Sequence, residues 1–172
     1  MHRTTLLTLA VVLIWIGSAL TARGQDKIPF TPTEIAASLG KDICSFGEQF
    51  PKQEGVFLDS ANQHAIEYRE HDGIIGVFLL SKPTTHCGIV DARLNLTPQI
   101  RKGETVEFKC YTNREGGTTP GKWGHIIGLA NNHSGQKRFV KARLAWRVDI
   151  ENKRFEPITG EVVQCDTSGY TD

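Results

Sequence analysis

The run from Gly116 through Pro120 to Gly121 and Lys122 fits the G-x-x-x-x-G-K spacing of a phosphate-binding loop, in which backbone amides cradle phosphates and the lysine meets the terminal ones. Trp123 follows where such a loop needs a hydroxyl for magnesium, and the strand-like Ile126-Ile127 stands where a helix N-terminus would have to face the phosphates. Nucleotide binding is not expected. Imidazole and thiolate are zinc ligands, so His86, Cys87, His125 and His133 raise a second chemistry, but C-x-x-C, H-x-x-x-H and H-E-x-x-H spacings are all lacking. Neither a metal nor a cofactor is expected.

Nucleophilic catalysis would need a cysteine whose thiolate is favoured by a neighbouring imidazole, or a serine in a recognisable frame. His86 adjoins Cys87, yet neighbours on a strand point to opposite faces, and the even cysteine count favours pairing. No G-x-S-x-G surrounds Ser81, Ser134 or Ser168. No catalytic constellation emerges, and the chain reads as a non-enzyme. A hydrolase acting outside the cytoplasm remains the alternative, with His125 and either His86 or a carboxylate moving the proton.

The binding residues stand out more clearly. Thr112 to Gly124 form a Gly-rich break after the last strand residue Tyr111, ending in Lys122, Trp123 and Gly124 with His125 beyond, and long irregular loops in compact domains are disproportionately functional. Charge is uneven: residues 25–80 hold 9 acids and 4 bases, net −5, whereas residues 81–172 hold 10 acids and 14 bases, net +4. Lys141, Arg143 and Arg147 are spaced to share one strand face, at a pitch that can track an acidic polymer or an acidic protein surface. Aromatic residues do not interleave with these bases, which argues against single-stranded nucleic acid. Lys122, Trp123, His125, Lys141, Arg143 and Arg147 are therefore the candidate binding residues of an inhibitor-type or interaction module. Its expected partner is a protein or an envelope polymer. A structural envelope protein holding an acidic polymer is a further alternative.

These side chains need a scaffold and a compartment. Arg3, the apolar stretch Leu6 to Ile16 and the small residues Ala19, Ala22 and Gly24 have the three-part layout of a secretory signal peptide over residues 1–24, leaving 25–172 as one domain, secreted or periplasmic. The apolar core is short for a membrane span, and no second one follows. Cys44, Cys87, Cys110 and Cys165 would then meet an oxidising space and form two disulfides, each contributing roughly 3 to 4.5 kcal/mol. Four cysteines allow three pairings; Cys110 and Cys165 both fall on the apolar face of an expected strand, which favours joining them and leaving Cys44 to Cys87.

Thr31-Pro32-Thr33-Glu34 signals a helix start, with an inner stripe of Ile35, Leu39 and Ile43 interrupted by Gly40. After Pro51 the period becomes two. Ile66 and Tyr68, the turn Asp72-Gly73 and the run Ile74 to Leu80 predict a hairpin, and Val90 to Leu96 with Val106 to Cys110 predict a second. From Phe139 to Ile150, Val140, Ala142, Leu144, Trp146, Val148 and Ile150 alternate with polar residues in the clearest strand. The expected fold class is α+β: an N-terminal helix packed on a mainly antiparallel β-sheet, braced by disulfides.

Overall fold

The computed structural model describes residues 29–46, 50, 52–84, 87–112, 125–131 and 139–167. Residues 1–24, Lys122, Trp123, His86 and His133 lie outside them. The described chain forms two antiparallel sheets. The first has β1 (Lys52–Phe57), β2 (His64–His71), β3 (Ile74–Ser81) and β4 (Ile89–Asn95) in sequential order. The second orders β5 (Glu104–Glu107), β7 (Ile126–Asn131), β8 (Phe139–Asp149), β10 (Val163–Asp166) and β6 (Cys110–Thr112), with β9 (Arg154–Pro157) pairing the far half of β8.

The α+β expectation is overturned. The helix α1 (Pro32–Ala36) has only five residues. Its start is as expected: Thr31 Oγ1 accepts the Glu34 N–H at 3.2 Å and Pro32 opens the first turn. Continuation fails because Gly40 takes φ +72°, and the chain beyond it lies along the edge of β4 instead. Gly40 N–H donates to the Val90 carbonyl, Val90 N–H to Lys41 and Ile43 N–H to Gly88, at 2.8 to 3.0 Å. Backbone groups satisfied by a strand edge have nothing to gain from a further helical turn. Leu39, expected on the inner stripe, is 50% exposed.

Periodicity two explains the layers. In β2 and β3, Ile66, Tyr68, Ile75, Val77 and Leu79 face the second sheet, where they meet Val106, Phe108, Ile127, Leu129, Trp146 and Val148 in one shared core. On the opposite face of the first sheet, Phe78, Leu80 and Val90 are covered by Phe30, Ile35, Ile43 and Phe46. Arg69 fastens that cover, donating to the Ile43 carbonyl at 2.9 Å and pairing with buried Glu67. The turn between β2 and β3 is the expected one, with Asp72 and Gly73 both at positive φ.

The second expected hairpin does not form, because β4 and β5 belong to different sheets. The stretch read as one strand from Val106 to Cys110 is broken at Phe108-Lys109, and its two halves lie at opposite ends of the strand order. Since only those two residues separate them, the second sheet must curl to bring its two edges close together. A small cluster of Cys110, Ile126, Ala142, Ala145, Val163 and Cys165 fills the roll. Cys110 pairs with Cys165 and Cys44 with Cys87, so one disulfide sits inside the roll and the other ties the N-terminal cover to the segment entering β4.

Candidate functional site

The roll's outer wall is covered by the first sheet only over part of its circumference. Around β6, β10 and the first half of β8, no element among the described residues covers it. In this region Cys110, Cys165 and Val140 form a row pointing into the roll, so the adjacent row, Tyr111, Gln164 and Lys141, points out. The Tyr111 hydroxyl donates to Gln164 Oε1 at 3.0 Å. Phe139, two residues before Lys141 and on the same face, meets the Tyr111 ring edge-on with centroids 6.2 Å apart. Phe139 is 39% exposed and Lys141 is exposed as well. The wall thus presents two aromatic rings, an amide and a cation on a rigid surface. Thr112, the residue after Tyr111, is buried and leads into segment 113–124.

The basic stripe is dispersed. Opposite the step from Leu129 to Ala130, β8 carries one extra residue: Leu129 pairs with Leu144 and Ala130 with Ala142, leaving Arg143 as a bulge. The slip reverses the faces on either side of it, so Val140 and Ala142 join Ala145 in the roll while Leu144, Trp146 and Val148 face the first sheet. Lys141 and Arg147 therefore fall on opposite faces. Arg147 stands across from Glu156 of β9. Arg143 is engaged within the chain: Nε and Nη2 hold the two Glu104 carboxylate oxygens at 2.6 and 2.7 Å, and Nη2 also donates to the Gln99 carbonyl at 2.6 Å. That guanidinium holds the Glu104 carboxyl below the usual carboxylate range. Of the three bases, Lys141 alone shares the wall with the aromatic rings. The sequence missed Tyr111 because it comes to Lys141 from another strand, across Gln164.

No known protein family, curated protein or solved structure matches this chain. Function therefore has to come from the side chains themselves. At one end of the two-sheet core, His125 Nε2 donates to the Leu58 carbonyl at 3.2 Å rather than to a carboxylate, and the Val148 N–H donates to the His125 carbonyl. The nearby acid–imidazole pair is a different one. Asp59 Oδ2 accepts His64 Nδ1 at 2.9 Å while Asp59 also accepts the N–H groups of Gln63 and His64. Those backbone bonds, chief among them the one from Gln63, hold the Asp59 carboxyl below its ordinary range. The arrangement closes the turn between β1 and β2, as Asp side chains do elsewhere. Asp42, Cys44 and Cys87 bring ligand-type atoms within 4.8 Å of one another, but the two sulfurs are bonded to each other and Asp42 Oδ1 already accepts the Cys44 N–H at 2.9 Å. Among the described residues no helix is long and apolar enough to cross a membrane.

One buried acid has a measurable consequence. Glu107 is 2% exposed; its Oε1 accepts the Thr105 hydroxyl, and Oε2 has no hydrogen-bond partner. Burial first, and then the negative charge of Glu54, push its carboxyl above the usual range. The folded chain thus keeps this proton at pH values where the unfolded chain has lost it. Stability from this group is complete below the unfolded carboxylate value, about 4.3, and declines as pH rises through the higher folded value. Glu107→Gln should remove this contribution to the decline, which can reach about 1.4 kcal/mol per pH unit, and should raise stability at neutral pH. Urea melts of both proteins at pH 5 and pH 8 will show it, and an equal pH dependence would contradict it.

Proposed function

We propose that this chain is an exported binding module of the inhibitor kind, which holds a protein partner on the wall of Tyr111, Phe139, Lys141 and Gln164. The observation that carries the proposal is the half-exposed Phe139 packed on Tyr111, with the exposed Lys141 two residues further on the same face. Aromatic side chains on a rigid surface lose little conformational entropy on binding and supply much of an interface's energy. Lys141 favours an acidic group on the partner, and Gln164 keeps amide donors after accepting from Tyr111. Export fits the two disulfides, which persist in oxidising compartments.

The test is capture of a partner from extracytoplasmic fractions on the immobilised full chain. Phe139→Ala and Lys141→Glu should each weaken retention of the same protein by roughly tenfold or more, as expected for central interface positions. Trp123→Ala should weaken it too, through segment 113–124, whereas Lys102→Ala, in an exposed turn, should not. Retention indifferent to the wall variants, or no retained protein, would refute the reading.

A further inference from the structure

The first sheet has two outer strands, treated differently. The edge of β4 is covered by the chain's own residues 40–43. Among the described residues β1 is paired on one side, by β2. We propose that two copies of this chain join β1 to β1 about a twofold axis at Val56, making one continuous antiparallel sheet through both molecules. This interface is independent of what the open wall of the roll binds.

The phase of the backbone is fixed. Leu58 N–H donates to the His64 carbonyl, so Leu58 and His64 are a hydrogen-bonded pair, and alternation makes Val56 with Ile66 the next one. Gly55 and Phe57 occupy the intervening pairs, with N–H and C=O directed away from β2. A second β1 can accept those groups by strand addition.

Side chains choose the register. Phe57 is 48% exposed, and beside it Gly55 leaves a gap that opens into a groove of about 170 Å³ lined also by Ala65, Leu80, Pro83 and Thr84. An axis at Glu54 would oppose two carboxylates, which is destabilising. An axis at Gly55 would set gap against gap and leave Phe57 beside Gln53. With the axis at Val56, Phe57 of each copy lies opposite Gly55 of the other, covering the gap, and Val56 meets its own counterpart. Aromatic rings laid over a strand glycine stabilise such pairs. The contact is short, so the dimer should be reversible.

Light scattering coupled to size exclusion, on the full chain over a concentration series, should show a mass rising from one copy towards two. Phe57→Asp and Gly55→Pro should return it to one copy that still unfolds in a single cooperative transition, since Phe57 is exposed and the Gly55 N–H is not used by β2. Under mild oxidation Val56→Cys should cross-link to itself, because directly opposed residues have Cα atoms about 4.5 Å apart, while Gly55→Cys, displaced along the ribbon, should not. A single-copy mass up to about 1 mM, at the weak limit for specific association, would overturn the proposal. So would a dimer that survives both edge variants, or cross-linking at Gly55 instead of Val56.

Discussion

Gly128→Ala should lower the unfolding free energy by about 2–3 kcal/mol, the upper range for an added methyl that a packed core cannot absorb. A Cβ at this position would stand 2.8 Å from Cys165 Sγ, 3.0 Å from Cys110 Sγ and 3.0 Å from Ala142 Cβ. None of these atoms is the free end of a flexible chain: the sulfurs are tethered to each other across neighbouring strands, and Ala142 is part of β8. The roll therefore closes over its disulfide only if β7 presents bare backbone there. Gly55→Ala is the matched comparison, because its nearest contact is a carbonyl at 3.3 Å on an open strand, and it should cost far less. The cause can be isolated by repeating Gly128→Ala in a chain carrying Cys110→Ala and Cys165→Ala. With the sulfurs gone the added cost should shrink markedly, a coupling that denaturant melts of the four proteins measure directly. Equal costs in the two backgrounds would show that the disulfide is not what the methyl meets.

How much of this architecture is legible in the sequence follows from which signals are local. The β2–β3 hairpin is legible because Asp72-Gly73 must take positive φ and because alternation on both sides agrees with it. The pairing of Cys110 with Cys165 is legible for the same reason: both lie on the apolar face of their strands and point into the roll. The start of α1 is legible in its cap, but its length is not, since the backbone after Gly40 is claimed by β4, which lies some fifty residues away in sequence. Fold class fails at that point, and again at Phe108-Lys109, where a single alternating stretch contributes to both edges of a rolled sheet. Nothing in the alternation marks the break. The open wall is half legible: Lys141 is singled out by charge, whereas Tyr111 and Gln164 are ordinary strand residues until the register brings them into one row.

The bulge in β8 is the costliest illegible feature, because it converts a supposed ligand contact into an internal one. Arg143→Ala should lower stability by about 2 kcal/mol, the scale of hydrogen bonds to charged groups discounted for the partial exposure of the arginine. The Glu104 side chain is 5% exposed and that of Arg143 27%, so removing the arginine leaves a nearly buried carboxylate with its bidentate partner gone. Arg143→Lys keeps the charge but not the fork, and should recover only part of the loss. The pH dependence separates this from simple loss of packing. Because Glu104 is held below the ordinary carboxylate range by Arg143, its contribution is present above the unfolded value and is lost as pH falls through the folded one. Wild type should therefore weaken more steeply in acid than Arg143→Ala, and the two curves should converge at low pH. Lys141→Ala, on the open wall, should leave both stability and its pH profile unchanged while weakening partner binding. An Arg143→Ala protein that melts like wild type yet fails to bind would restore Arg143 to the ligand surface and remove the bulge from its structural role.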